Sequence, residues 1–282
     1  MAVRAERDRA ARKPPRKAKD KGQELREEIS KAAALHVFTR LGVTDPADID
    51  LDAIAAELNA EIRFEDLEGA TARVIQIGDR ARIIISTRVV DVGAIRFSIA
   101  HEIGHILCKH YVGHTGPTDA VERLCSPLHS GGTTTEREAD VFAAELLMPR
   151  PLVTSWCAVA PLTFDPVRAI SSAFGTSVLA SAMRFVELTP ERCAVVYTKQ
   201  GRVQWAKKSP SFTGWIPKRS VAPGSAAFDY FERGSIGESS RIVPGTTWLS
   251  SKAERVDAPI YEHATAVPGL GAVFSLLWMP ES

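Results

Sequence analysis

The 282-residue chain is 45% hydrophobic and 24% charged, and its 35 basic residues nearly cancel its 34 acidic ones. That balance is ordinary for a globular protein and gives no general pull toward nucleic acid or a membrane surface. No apolar run approaches the ~18 residues that span a bilayer, and no apolar segment follows the charged N-terminus as it would in a secretory signal.

Four scattered cysteines without C-x-x-C spacing fit reduced thiols, so the expectation is a soluble cytoplasmic protein. Residues 1–22 hold nine Lys or Arg around Pro14 and Pro15 and read as a disordered basic tail. Residues 24–41 carry Leu25, Ile29, Ala32, Ala33 and Val37 at helical spacing, closed by Gly42. Asp50 caps a short helix ending at Leu58. Strands follow at 61–64, 73–77 and 81–87, turned at Glu68-Gly69 and Gly78-Asp79, and the run Ile83-Ile84-Ile85 predicts a strand buried on both faces. A helix spans 90–109. After a loop rich in Gly, Thr, Ser and Pro, Thr135 caps a second helix over 136–148, ended by Pro149 and Pro151. Residues 164–187 read as two short helices joined at 174–177. Beyond Pro190 the texture turns β-rich, with strands at 193–198, 203–207, 241–243, 246–249 and 272–278 and helical turns near 226–232. The aromatics Trp205, Phe212, Trp215, Phe228, Tyr230 and Phe231 read as core rather than as a ligand pocket.

The chemistry lies on the two middle helices. His101 and His105 are four apart, one above the other on a helix face, so both imidazoles reach one ion. Glu102 projects about 100° round the helix from His101, where its carboxylate takes a proton from activated water. A third histidine in the pattern H-E-x-x-H-x-x-G-x-x-H is missing: Cys108 stands in place of the glycine, Tyr111 in place of the histidine, and His110 is one position out of register. A glutamate on the second helix is the other common source. Glu136 and Asp140 share a face with the small residues Ala139 and Ala143, so Glu136 reads as the third ligand and Asp140 as the partner of a histidine's far nitrogen. Glu138, expected on roughly the opposite side, stays a rival, as do His110, His114 and His129.

Residues 97–105 (FSIAHEIGH) and 136–149 (EREADVFAAELLMP) together resemble the ImmA/IrrE family of metallopeptidases over roughly residues 24–188. The resemblance implies an α+β fold with a thermolysin-like (zincin) helical peptidase core and a small β-sheet, and it lands the glutamate ligand on Glu136. It also implies Zn2+ held by His101, His105 and Glu136, with Glu102 as the catalytic base. In several relatives the substrate is a helix-turn-helix transcriptional repressor, which implies induction of a stress or mobile-element response. The domain plan is a tail at 1–22, a metallopeptidase domain at 23–160, a helix-turn-helix-like segment at 161–189, and a C-terminal α+β domain at 190–282 with a regulatory or sensing role. The second helix of the helix-turn-helix-like segment offers Val178, Leu179, Ala180 and Ala182 with only Arg184 basic, too little for base reading, so packing is favoured over direct DNA binding. Docking of the repressor on that helix is a further reading. The alternative for the whole chain is a DNA-binding or protein-interaction regulator with a vestigial metal site.

Overall fold

In the computed structural model the described residues are 21–110, 121–125, 134–237, 239–250 and 258–280. The tail expected over residues 1–20, and Tyr111, His114 and His129, lie outside them. Helix α1 (Lys21–Arg40) begins two residues inside the segment assigned to the tail. Asp50 caps α2 (Leu51–Glu57), its side chain accepting from the Asp52 and Ala53 amides.

Strands β1 (Ala60–Glu65), β2 (Ala72–Ile77) and β3 (Arg80–Ser86) follow, and β4 (Val121–Cys125) joins them in a mixed sheet of order β1-β3-β2-β4. β1 runs parallel to β3, while β2 is antiparallel to both of its neighbours. The three isoleucines of β3 are all buried, as their uninterrupted run predicts. Helix α3 (Val92–Leu107) is capped by Asp91 and packs on β2 and β3. Helix α4 (Thr134–Leu147) lies between α3 and α1. Thr135 is therefore inside α4 rather than its cap. Pro149 and Pro151 end no more than that helix: they open another, α5 (Arg150–Cys157), in whose first turn a proline's missing N–H costs nothing.

Thr163 caps α6 (Phe164–Phe174), Gly175 ends it in the left-handed conformation, and Ser177 caps α7 (Val178–Leu188). The C-terminal sheet is antiparallel throughout, in the order β6-β5-β9-β8-β7. Its strands are β5 (Cys193–Lys199), β6 (Arg202–Lys208), β7 (Arg241–Pro244), β8 (Pro259–Val267) and β9 (Ala272–Trp278), with α8 (Ala226–Arg233) before β7. Residues 246–249, expected as a strand, instead begin within a turn of 3-10 helix (Gly245–Thr247), with Trp248 and Leu249 anchored in the core.

Alternation along β5 divides its side chains between two cores. Cys193 and Val195 face the helical half, while Ala194 and Val196 face α8, Phe212 and Trp248. The first core runs without a break from α1 and the mixed sheet, through α5, α6 and α7, to one face of the C-terminal sheet. Among the aromatics expected in the core, Phe212 is buried and Trp205 stacks on Tyr197, but Trp215 stands 64% exposed.

Helix α7 settles the fate of the helix-turn-helix-like segment. None of its residues is exposed; each is buried or half-buried between the helical half and the C-terminal sheet. Arg184, the one basic residue there, is 3% exposed and donates to the Met148 carbonyl, Glu187 and Glu145. The helix thus presents no exposed residue, and its one basic side chain is committed inside the fold, so it offers little to a DNA groove.

Candidate metal centre

The two central helices cross closely because small residues meet at their contact. Ala100 of α3 and Ala139 and Ala143 of α4 are fully buried, and Gly104 comes so near Phe142 that a Cβ there would lie 3.0 Å from the ring. This approach carries Glu136, in the first turn of α4, to the face of α3 that bears the two histidines.

His101 Nε2 and His105 Nε2 are 3.0 Å apart. One Glu136 oxygen lies 3.3 Å from His101 Nε2, and the other lies 3.5 Å from His105 Nε2. These three residues are the cluster of metal-ligating type among the described residues. His105 is fully buried and His101 nearly so, while the Glu136 side chain is 27% exposed, so the cluster opens to solvent on the glutamate side. Glu102, one residue beyond His101, is fully buried.

Acceptors stand behind both rings. Asp140 Oδ1 is 2.9 Å from His101 Nδ1, as the four-residue spacing from Glu136 predicts. Behind His105, Nδ1 meets His110 Nδ1 at 2.8 Å, and His110 Nε2 meets Glu138 Oε2 at 3.0 Å. A carboxylate at the far end of each chain draws the ring protons outward to Nδ1, so both Nε2 atoms present lone pairs to each other and to Glu136.

Burial pushes His105 down to about 4 against the opposing hydrogen bond to Glu136, so its imidazole is neutral near pH 7. Until a cation takes the proton's place, hydrogen bonding from an Nε2–H of His101 and then His105 holds the Glu136 carboxyl far below the usual carboxylate range, so it is an anion. Two neutral lone pairs and one carboxylate at such separations repel unless a cation lies among them. Bonds of ~2.0–2.1 Å to a tetrahedral ion place ligand atoms about 3.3–3.4 Å apart, close to the separations found. The donor set therefore fits a divalent metal with nitrogen and oxygen preference.

Two rivals for the third ligand take other places. Glu138 does not face solvent on the far side of α4, because α1 covers that flank; it is 8% exposed and reaches His110. His110 sits behind His105 rather than in the cluster. Lys109 adopts φ +53°, ending α3 in a Schellman turn in which the His110 amide bonds the His105 carbonyl at 3.1 Å and the Lys109 amide bonds that of Ile106. That turn folds the His110 ring back on His105. A glycine at 109 would have announced it; lysine there gives no sequence signal. Sequence reasoning also missed Glu145, whose carboxylate accepts from the Arg150 amide at 2.9 Å and pairs with Arg184.

Residues 55–184 match the family model Peptidase_M78, described as "IrrE N-terminal-like domain". No curated protein matches the chain. Among solved structures, the chain is similar to one titled "Mycobacterium tuberculosis transcriptional regulator", at 13% identity and a TM-score of 0.56, covering 92% of this chain and 94% of that one. At that identity the likeness shows a shared fold alone, and it extends across both halves of the chain. The family match includes α3, α4 and the whole His101–His105–Glu136 cluster, and it leaves α1 and the C-terminal sheet outside. The family model thus agrees with the resemblance carried by the two motifs: residues 55–184, a little under half of the chain, are similar to the IrrE N-terminal-like domain.

Proposed function

We propose that the chain is a zinc-dependent endopeptidase of thermolysin-like active-site geometry, acting in the cytoplasm on a helix-turn-helix transcriptional repressor to release a stress or mobile-element response. The observation that carries this reading is the convergence of two outward-anchored imidazoles and one carboxylate, whose ligand atoms all lie within 4.8 Å of one another, with Glu102 following His101 on the same helix. The family match supports peptidase chemistry.

His101, His105 and Glu136 would hold the ion, three protein ligands leaving one position open, as catalytic rather than structural sites do. Zinc bound there supplies Lewis-acid polarisation of the scissile carbonyl and activation of water near neutral pH. Glu102 takes the proton from the attacking water and passes it to the leaving amine. Asp140 fixes the plane and tautomer of His101. Burial of Glu102 and His105 places both in low-dielectric surroundings, which strengthens each of these interactions.

The test compares wild type with Glu102→Gln in the native cells. Both are expected to carry one zinc per purified chain, while new protein termini, including one inside a repressor, appear with wild type alone. Termini that appear equally with Glu102→Gln, or none at all, would refute peptidase action. A DNA-binding regulator with a vestigial metal site is the competing reading. The burial of Arg184, the one basic residue of α7, counts against it, since that helix would have to read the bases.

A further inference from the structure

We propose that Arg26, on α1, is a positioning residue for the metal centre, acting through Glu138 and His110 on the ligand His105. The proposal rests on the metal site of the preceding reading and adds an element that the family-matched segment does not contain.

The two histidines are supported in different ways. His101 is backed directly by Asp140, whose side chain is 54% exposed. His105 is backed at one remove by His110 and then by Glu138, whose side chain is 11% exposed. The His110 ring has both nitrogens engaged, one on each neighbour, so its orientation is set by the pair and its position by the left-handed Lys109. A carboxylate drawn this far from water needs a positive partner to hold it in place. Arg26 supplies it, with Nε 3.1 Å from Glu138 Oε1, the oxygen not facing His110. One Glu138 oxygen thus holds the histidine chain and the other is held by α1.

Directionality follows from the chemistry. Glu138 accepts from His110 Nε2–H, which leaves His110 Nδ1 to accept from His105 Nδ1–H, which leaves His105 Nε2 bare for a metal. If Glu138 is released, the His110 ring loses its anchor and can turn, and His105 loses both its tautomer and its aim. Partners of this kind change metal affinity by roughly 10–100-fold in other sites. Arg26 acts one step further out on a half-exposed side chain, so its share is smaller, about two- to fivefold.

The experiment uses the full chain and reads zinc affinity by competition with a chelator of known strength, together with the visible absorption of the cobalt-substituted protein. Glu138→Gln is expected to weaken zinc binding roughly 10–100-fold and to shift the cobalt bands, which report ligand geometry and would not move with a purely structural role. Arg26→Met should weaken binding about two- to fivefold, Arg26→Lys should restore most of it, and Arg26→Met added to Glu138→Gln should do nothing further. Arg26 lies on a half-exposed face, so its variants keep the proposal testable even where Glu138→Gln does not fold. Wild-type protein that binds one zinc, with Glu138→Gln and Arg26→Met matching it, would overturn the positioning role and leave the metal site standing. Independent, additive losses would overturn the route through Glu138. Wild-type protein that takes up no zinc would overturn both readings.

Discussion

Gly104 sits between the two histidines of α3, at the point where α4 comes closest. A Cβ there would stand 3.0 Å from Phe142 Cδ1 and 3.2 Å from its Cβ, tighter than such atoms usually pack. Gly104→Ala should therefore cost about 1–3 kcal/mol of stability by overpacking. It should also weaken zinc binding, because Glu136 reaches the histidines only through that approach. Denaturant melts with and without zinc check both outcomes; an unchanged zinc affinity would mean that the helix spacing has slack. Single residues also mark how far the sequence was legible. His101, His105, Glu136 and Asp140 were readable because a four-residue spacing on a helix fixes a face. Glu138 and His110 were not, since their roles depend on what covers the far side of α4 and on a left-handed lysine, and neither leaves a pattern along the chain.

Among the elements, α4 and α7 are joined by charge as well as by packing. Arg184 is 3% exposed and Glu145 5%, and Arg184 also pairs with Glu187, which Lys207 of β6 contacts at 3.0 Å. Arg184→Met would leave Glu145 buried without its counter-ion, and the expected cost is about 3–5 kcal/mol. A melting temperature equal to wild type would contradict that. Strand β8 carries a second buried charge. Glu262 is fully buried, accepting from the Ala226 amide at the start of α8 and from the Ser275 hydroxyl, both at 3.1 Å. Burial raises its pKa above the ordinary carboxylate value, against the opposing hydrogen bonds and the Arg241 charge. The folded chain then keeps a proton that the unfolded chain has released. The stability this contributes is full below the ordinary value of 4.5 and is lost as pH rises through the raised one. Relative to Glu262→Gln, wild type should lose melting temperature as pH climbs from 4.5, and parallel pH curves would count against it. Residues Glu262 and His263, both buried inside β8, also explain why that strand was invisible to hydrophobic patterning: polar residues stand where apolar ones signal a core. The helices α1, α2, α3, α6 and α7 were legible as segments of helical composition, with Asp50 marking the start of α2 and Gly42 the end of α1. Strand β4 was not, being five residues set in a Gly- and Thr-rich stretch.

At the level of the molecule, the C-terminal sheet is less separate than its composition suggests. His263 of β8 accepts the first amide of α6 at 2.8 Å, and Phe274 and Leu276 of β9 belong to the same core as Ile99 and Phe142. Cutting the chain after residue 189 would thus bare the apolar flank of α6 and α7 instead of releasing a free-standing enzyme. Heat should accordingly melt the protein as one cooperative unit, with the signal of the C-terminal tryptophans and the release of bound zinc falling at the same temperature. Two separated transitions would show that the shared core does not couple the halves. If the transition is single, any ligand that steadies the C-terminal sheet makes opening of the His101–His105–Glu136 cluster rarer, though it touches none of those three residues.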